Sequence, residues 1–491
     1  MITGRAFGPA PYLFPAMSRR RLLAAAPGAA ALCLIAPASA SAHGISQRAD
    51  LPIPEWLFAW GAAIVLLASF VALSVLWRRP VLERARERVV VRVPLALEVL
   101  AGAIGIAAFA AVVYAGLAGN QTTTANLAPT AVFVLFWVGV PCASVVLGDV
   151  FAAFSPWRAT GRLAGWLAAK VAGSDLPTPL TYPERLGRWP AAFGVLAFAW
   201  IELVYVGRTD PSHLAVLALV YAGVMLAGMS FYGVDTWSRN ADGFGVAFGL
   251  LALLAPLHWT DRELRVRAPL AGATAMPEVS GAVAVVVTMI GTTTFDGFSQ
   301  GSIWTSTDGL LQRLTDALDG LGLGREAAIQ GAGTVGLLAV VLIVAGLYRL
   351  GVAGMQSVGG VDLSGDELAR RFAHTLIPIA FAYLVAHYFS LLLFQGQAIV
   401  YLISDPLGQG SDIFGTSSST IDYSLIGANG IWYVQVAALV MGHVGGLILA
   451  HDRALALWGD SRTATRSQYW MLLVMVTFTC LGLWLLSAAS Q

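Results

Sequence analysis

Several titratable side chains lie inside long apolar runs of this chain, and they are its best candidates for chemistry. Glu202 and Asp296 are carboxylates in two such runs, and His387 and His443 are histidines in two others. An ionisable group at bilayer depth costs several kcal/mol unless it is paired or hydrated, so each is a candidate functional residue. Tyr383 precedes His387 by one helical turn and extends its polar strip.

Histidine is scarce, with 7 residues among 491, so the positions of the buried ones are informative. Gly442 and Gly446 flank His443 and form a small-residue face that lets another helix approach closely. Counted from the predicted external ends of their runs, His387 and His443 lie at similar depth. We therefore expect them to face each other across adjacent antiparallel helices. His374 lies too far along the same helix to share a metal ion with His387.

Three interpretations of the His387–His443 pair remain open. In the first, the pair binds a divalent metal ion, and Glu202 or Asp296 supplies an oxygen ligand. In the second, one histidine is a general base or a proton relay. In the third, each histidine is structural and bonds to a backbone carbonyl or a hydroxyl. The candidate metal ligands are all histidines: His387, His443, His374, His451 and His43.

The composition indicates the class of fold that positions these residues. Hydrophobic residues make up 57% of the chain and charged residues only 12%, about half the charged fraction of soluble proteins, which is about 25%. Mean hydropathy is +0.72. The net charge of +1 argues against nucleic-acid binding, which needs a basic surface. We expect an all-α, polytopic transmembrane helix bundle whose partner is the lipid bilayer.

Eleven apolar runs are candidates for membrane spans, because a span needs about 20 apolar residues. They lie near residues 55–77, 94–118, 127–152, 189–206, 211–232, 242–258, 279–296, 331–352, 372–396, 430–450 and 468–488.

Arginine placement predicts the orientation of these runs. The segments 78–93 and 153–188 are arginine-rich and should be cytoplasmic, whereas 297–330 and 397–429 are arginine-poor and should be external. Eleven membrane crossings cannot place all four of these segments on their predicted sides. The run 242–258 is the shortest, so we expect it to be re-entrant or buried in protein. About ten full spans then remain, in a bacterial cytoplasmic (inner) membrane.

The first 42 residues read as a signal peptide, with Arg19–Arg21 before an apolar stretch and a small-residue cleavage site. Met17 is an alternative start. Residues 43–491 then form a single polytopic domain whose mature N-terminus is external. Cleavage leaves His43 first, with an amine and an imidazole that suit copper; alternatively, His43 merely follows the cleavage site.

Two connectors have amphipathic helical patterns. Residues 159–173 place Leu163, Trp166, Leu167 and Val171 on one face, and residues 307–321 place four leucines likewise. Such helices lie in the membrane surface or pack onto the bundle, and the pattern fits both.

Short strings spread along the chain carry a resemblance to a known family. They include Ala42-His43-Gly44, Phe154-Ser155-Pro156-Trp157-Arg158, Thr293-Thr294-Phe295-Asp296-Gly297, Ala386-His387-Tyr388-Phe389-Ser390 and Ala450-His451-Asp452-Arg453-Ala454. Over its whole mature length, the chain resembles the bacterial integral-membrane proteins called fenitrothion hydrolases. These strings identify the family and are not catalytic motifs.

The resemblance implies hydrolysis of organophosphorus triesters at the P–O–aryl bond. Such chemistry needs an activated water and a Lewis acid on the phosphoryl oxygen, which a divalent metal ion supplies. An apolar small-molecule substrate would reach the site through lipid. The candidate catalytic residues are then those of the buried polar set: His387, His443, Asp296, Glu202 and Tyr383.

Two other classes of protein fit the same residues. A membrane transporter or metal-handling protein would use them as a proton or cation path. A scaffold subunit would pair all of them locally.

Overall fold

Apolar runs form helices because a helix satisfies its backbone hydrogen bonds within one segment, as a lipid environment requires. The computed structural model describes residues 55–172, 178–260 and 262–489. It confirms an all-α helix bundle, with one small sheet at one end. The predicted signal peptide, residues 1–42, and His43 lie outside the described residues.

The first half of the described chain alternates long apolar helices with shorter ones. Its helices are α1 Glu55–Leu76, α2 Leu95–Ala118, α3 Leu127–Leu147, α4 Val150–Phe154, α5 Pro156–Ala172, α6 Trp189–Leu203, α7 Pro211–Tyr232, α8 Val234–Asn240 and α9 Gly243–Ala252. A short 3₁₀ helix, Thr123–Ala125, precedes α3, and the segment Thr130–Gly139 of α3 has π-helical hydrogen bonds.

The second half of the described chain also alternates long apolar helices with shorter ones. Its helices are α10 Ala282–Ser299, α11 Ser302–Thr305, α12 Leu310–Asp319, α13 Arg325–Ser357, α14 Gly365–Phe372, α15 Ile377–Gln395, α16 Ile399–Leu402, α17 Ala428–Trp458, α18 Ser461–Ser467 and α19 Tyr469–Ala489. The 3₁₀ segments of this half are Ala271–Ala275, Ala373–Leu376 and Gly396–Ala398.

Fewer helices can cross a membrane than the ten or eleven that the sequence predicted. In the described ranges, eight segments are long and apolar enough, and the bent pair α18–α19 would make nine. The apolar runs near 189–206 and 242–258 instead form α6 and α9, of 15 and 10 residues. At 1.5 Å per residue, these helices are about 22 and 15 Å long, short of the roughly 30 Å hydrocarbon core.

A three-stranded antiparallel sheet joins two distant loops at one end of the bundle. Its strands, in the order β1-β3-β2, are β1 Arg88–Arg92, β2 Leu257–Thr260 and β3 Glu263–Val266, with Arg88 opposite Val266. Beside the sheet, Glu87 accepts hydrogen bonds from His258 Nδ1 (2.9 Å) and Arg267 Nη1 (3.2 Å). We call this the arginine-rich end, because it holds the segment 78–93.

Residues 233–256 enter the bundle and return without crossing it. Asp242 lies between α8 and α9, is fully buried, and accepts hydrogen bonds from Trp157 Nε1 (2.6 Å) and Tyr221 Oη (2.8 Å). Because Tyr221 lies in the middle of α7, the turn at Asp242 lies at about half the height of that helix. This agrees with the expectation that 242–258 is the run that fails to cross.

Helices α15 and α17 pack antiparallel through the predicted glycine face. A Cβ atom on Gly442 would lie 2.2 Å from Ala382 Cβ and 2.7 Å from the Pro378 carbonyl oxygen. A Cβ on Gly446 would lie 2.8 Å from the Thr375 carbonyl oxygen. Only glycine permits this approach of two backbones.

The arginine-rich end of α17 holds the loop that follows α1. Asp452 is fully buried and accepts hydrogen bonds from Trp77 Nε1 (2.9 Å), Val81 N (2.5 Å) and Glu83 N (2.9 Å). Charge-assisted hydrogen bonds of this kind are stronger than neutral ones, so the loop is fixed to a helix far away in sequence.

The two amphipathic connectors take different positions. On α5, the apolar face is exposed, with Trp166 57% and Val171 89% accessible, as in a helix at a membrane surface. On α12, Leu311 and Leu314 pack against a buried cluster around Trp304. The first connector therefore fits the interfacial interpretation, and the second packs onto the bundle.

Candidate functional site

Three parallel helices carry the site. The backbone N–H of Arg188 donates to the Ser280 carbonyl (2.7 Å), so α6 and α10 begin side by side at the arginine-rich end. Arg371 pairs with Glu278 (3.6 Å) and brings the start of the α15 segment to the same place. The far parts of these helices therefore meet at similar heights, and this is where the polar residues lie.

Asp296 is the polar side chain of α10 that reaches a neighbouring helix. The hydroxyl groups of the threonines before it form hydrogen bonds within α10. Thr293 donates to the Met289 carbonyl (3.0 Å) and Thr294 to the Ile290 carbonyl (2.7 Å). Such back-bonding to the preceding turn is common for threonine in helices. Asp296 Oδ2 instead lies 2.7 Å from His387 Nε2 on α15.

Tyr388 connects Asp296 to the second carboxyl group. Its hydroxyl oxygen lies 2.8 Å from Asp296 Oδ2 and 3.1 Å from Glu202 Oε1 on α6. His387 and Tyr388 are consecutive, so their side chains diverge by about 100° around α15 and approach Asp296 Oδ2 from two directions. Glu202, Tyr388, Asp296 and His387 form one continuous hydrogen-bonded chain, which we call the relay.

The two contacts of Tyr388 can both be hydrogen bonds only when one of the two carboxyl groups is protonated. The Tyr388 hydroxyl has one hydrogen and can donate it to one carboxylate only. The contact with the other carboxyl group is a hydrogen bond only when that group is protonated and donates to Tyr388 Oη. One proton is therefore shared between Glu202 and Asp296 whenever both contacts are satisfied.

The middle of the relay is buried, and both of its end residues are partly exposed. Trp137, in the π-helical part of α3, directs its indole N–H towards Glu202 and Tyr388 and is 7% exposed. The His387 side chain is 20% exposed, compared with 9% for Asp296. Glu202 is also partly exposed, so the two ends of the relay are both partly exposed, whereas Asp296 and Tyr388 between them are buried. π-Helical segments often lie at functional sites.

His443 lies apart from the relay, and the predicted His387–His443 pair is not formed. Because α15 and α17 are antiparallel with Gly442 against Ala382 and Pro378, His387 lies more than one turn beyond the level of His443. The His443 Nδ1 atom lies 2.8 Å from the Leu439 carbonyl oxygen.

Tyr383 lies beside His443 and does not touch the relay. Its ring centroid is 6.1 Å from the His443 ring, and its hydroxyl donates to the Phe478 carbonyl (3.0 Å). It therefore serves packing between α15 and α19 instead of the predicted polar strip with His387.

The remaining predicted ligands within the described chain are also separate. His374 is buried, and its Nε2 atom makes no hydrogen bond. His451 Nε2 donates to the Trp77 carbonyl (3.0 Å), and its Nδ1 accepts from Gln468 Nε2 (3.2 Å). With both ring nitrogens engaged, His451 is a structural histidine of the α17–loop contact.

The described residues do not fit a divalent metal site made of histidine and carboxylate. No group of three or more His, Cys, Asp or Glu side chains converges within residues 55–172, 178–260 and 262–489. His387 and Asp296 meet, but His443, His374 and His451 each lie elsewhere. The predicted set of metal ligands is therefore scattered, and we derive no step through such a metal.

Sequence reasoning missed Tyr388 and Trp137 and chose Tyr383 instead. Depth along the helix could not separate the two tyrosines, because Tyr383 and Tyr388 differ mainly in the direction they face around α15. The useful signal was that Tyr388 adjoins His387 in the Ala386–Ser390 string.

The fold and the relay together define a class: an all-α bundle with helices of membrane-spanning length and a hydrogen-bonded chain of titratable groups inside it. No known protein family, no curated protein and no solved structure matches the chain.

Proposed function

We propose that this protein is a multi-pass transporter of the bacterial cytoplasmic membrane that moves protons through the relay. The observation that carries the proposal is the unbroken series of contacts Glu202–Tyr388–Asp296–His387, at 3.1, 2.8 and 2.7 Å. Chains of carboxylates and histidines facing a bundle interior are typical of proton paths in pumps and transporters.

Each bond of the relay passes one hydrogen. When protonated Glu202 donates to Tyr388 Oη, the hydroxyl gives its own hydrogen to Asp296. Protonated Asp296 then donates to His387 Nε2, whose imidazole releases a proton at its own partly exposed end of the relay. The tyrosine ends as it began, so the net result is transfer of one proton from Glu202 to His387. A histidine suits the last position because its ordinary pKa is about 6.5.

Two broken elements beside the relay support transport over a static scaffold. Helix α6, which carries Glu202, is too short to span the hydrocarbon core, and α8–α9 turn back at Asp242 inside the bundle. Transporters commonly build their central sites from such discontinuous helices. The arginine-rich segments 78–93 and 153–188 support a cytoplasmic position for that end and an external mature N-terminus.

Proton flux tests the proposal directly. Full-length protein in proteoliposomes with an internal pH-sensitive dye is driven by a valinomycin–potassium potential. We expect flux above empty vesicles, and a drop of roughly 100-fold, the contribution typical of a positioned acid or base, in Glu202→Gln and Asp296→Asn.

The matched control is Asp235→Asn. Asp235 is an exposed carboxylate that pairs with Arg158 and Arg162, each at 3.3 Å, away from the relay. This variant should retain wild-type flux. Wild-type vesicles that conduct no more than empty ones, or an unchanged Glu202→Gln variant, contradict the proposal.

A second candidate function is hydrolysis of apolar phosphotriesters, and the Asp296–His387 contact favours it. A carboxylate that orients an imidazole is the arrangement by which enzymes activate a nucleophile or a water. The partial exposure of His387 gives a substrate dissolved in lipid a way to reach the base. The resemblance to fenitrothion hydrolases supports the same substrate class.

Release of nitrophenol from a nitrophenyl phosphotriester tests this second function. Turnover by purified wild-type protein should be lost in His387→Gln and kept in His213→Gln, because His213 is exposed and contacts Tyr205 instead of the relay. Turnover that survives a chelator supports the Asp296–His387 pair acting alone, and turnover that a chelator abolishes contradicts it. Equal turnover in His387→Gln removes the relay from any hydrolysis.

A further inference from the structure

A small cavity lies beside His443, among α10, α13, α17 and α19. Its volume is about 40 Å³, and Met471 and Met475 line it together with His443. The other lining side chains are mainly aliphatic and aromatic. Tyr348, which also borders the cavity, has its hydroxyl engaged with the Ala369 carbonyl (2.7 Å). The cavity is apolar apart from one imidazole and two thioethers.

His443, which borders this cavity, carries a bare nitrogen lone pair. A carbonyl oxygen can only accept, so the 2.8 Å contact with Leu439 places the hydrogen on Nδ1. The Nε2 atom is then unprotonated in the neutral ring. It has no hydrogen-bond partner, and the residue is fully buried. A buried polar atom without a partner costs free energy and calls for an explanation, such as an ion or a water.

The two methionines are held in place from opposite sides. Met471 and Met475 are one turn apart on α19 and are 3% and 4% exposed. Met475 Cε lies 2.8 Å from where a Cβ on Gly446 would be, one turn along α17 from His443. Met471 packs on Gly351 of α13, with its Sδ 3.0 Å from the corresponding Cβ position. The flexible side chain of methionine adapts readily to a small ligand.

We infer that His443, Met471 and Met475 form a binding site for a single Cu(I) ion. Thioether and imidazole ligands are neutral and soft, and thioethers select Cu(I) over the harder divalent metals. No carboxylate or thiolate lines this cavity to neutralise a divalent ion. Two of the three ligands of this site are methionines, so it is distinct from the His, Cys, Asp and Glu clusters that bind divalent ions. The inference goes beyond the proposed proton path and does not depend on it.

Transfer of Cu(I) from a chromogenic Cu(I) chelator tests the site. Full-length protein purified in detergent is titrated under anaerobic, reducing conditions, and bound copper is counted. We expect one equivalent per chain. Met471→Leu and Met475→Leu, which keep the side-chain volume, should each weaken binding by about tenfold or more, since each removes one soft ligand. His443→Gln should do the same.

The control variants separate this site from others. Met355→Leu changes a fully buried methionine of α13 that does not border the cavity, and binding should stay at the wild-type level. His43→Ala removes the predicted N-terminal copper ligand and should leave the Cu(I) equivalent intact. Thermal unfolding of each apo-protein verifies that the variants are folded.

X-ray absorption at the copper edge gives a readout that packing defects do not change. The wild-type spectrum should contain both sulfur and nitrogen neighbours, and the sulfur contribution should fall in Met475→Leu. Absence of a bound equivalent in the wild type means that the cavity holds water only, and it overturns the inference. Undiminished Cu(I) binding in His443→Gln or in both methionine variants overturns it as well.

Discussion

Tyr388 matters because a single hydroxyl hydrogen lies between two carboxyl groups. Its removal leaves Glu202 and Asp296 without a bridge and takes one hydrogen-bond partner from each carboxyl group. Loss of a hydrogen-bond partner by a buried polar group costs about 1–3 kcal/mol. The proposed proton path and part of the local stability therefore depend on the same oxygen atom.

Tyr388→Phe should abolish proton flux and lower the free energy of unfolding by about 1–3 kcal/mol. Flux in proteoliposomes and thermal unfolding in detergent measure the two effects. Tyr383→Phe is the matched control on the same helix, since its hydroxyl donates only to the Phe478 carbonyl. It should keep wild-type flux and lose about 1 kcal/mol of stability. Equal flux in both variants would show that protons do not pass through Tyr388.

At the scale of elements, the α15–α17 contact positions His387 and Tyr388. Gly442→Ala would put a methyl group 2.2 Å from Ala382 Cβ and 2.7 Å from the Pro378 carbonyl oxygen. The helices must then separate, because a backbone atom cannot rotate away, and overpacking typically costs about 1–3 kcal/mol. We expect a lower unfolding temperature and reduced flux.

Gly346→Ala on α13 is the control for this prediction. A Cβ on Gly346 meets nothing within 4 Å, so the higher helix propensity of alanine should leave stability unchanged or raise it by up to about 1 kcal/mol. If Gly442→Ala unfolds no earlier than Gly346→Ala, close packing of α15 on α17 is not what holds the relay.

The sheet should make stability depend on pH. Burial alone raises the pKa of Glu87, but the hydrogen bonds and charges of His258 and Arg267 more than offset it, so its pKa lies below the ordinary 4.5. A carboxyl group with a lowered folded-state pKa stabilises the protein above its unfolded-state pKa, and the gain is lost as pH falls through the folded-state value. The stabilisation is therefore present at neutral pH and disappears in acid.

Glu87→Gln isolates this contribution. The wild type should unfold at a higher temperature than Glu87→Gln near neutral pH, and the difference should shrink as the pH falls below about 4.5. Thermal unfolding of both proteins over a pH series measures it. A difference that stays constant down to strongly acidic pH would mean that the Glu87 charge does not stabilise the sheet.

At the scale of the whole molecule, the helix directions place the segment 78–93 and the segment 403–427 at opposite ends of the bundle. The arginine content predicts which end is cytoplasmic. We expect a membrane-impermeant thiol reagent to label Ser418→Cys in intact cells, and Arg86→Cys only after permeabilisation. Both positions are exposed. Labelling of Arg86→Cys in intact cells would reverse the orientation.

The sequence was sufficient to predict the features that depend on a single segment of the chain. Each of the eleven apolar runs contains a helix, the helix of the run near 242–258 is too short to span the hydrocarbon core, and the rule for buried ionisable residues selects Glu202, Asp296 and His387. The sequence was insufficient to predict which side chains contact each other, because these contacts depend on how each helix is rotated and which helices are neighbours. For this reason the similar depth of His387 and His443 predicts a pair that the structure does not form, and it favours Tyr383 over Tyr388. The sheet was missed because β1 pairs with strands far along the chain.

The contact of Asp452 with the loop after α1 has a consequence for the order of biosynthesis. The backbone N–H of Val81, which donates to Asp452, is 371 residues away from Asp452 in sequence. At a synthesis rate of about 5–20 residues per second, the ribosome needs roughly 20–70 s to cover that distance. During this interval α1 and its loop have left the ribosome while their anchor does not yet exist. Helix α1 is therefore made early and fixed late.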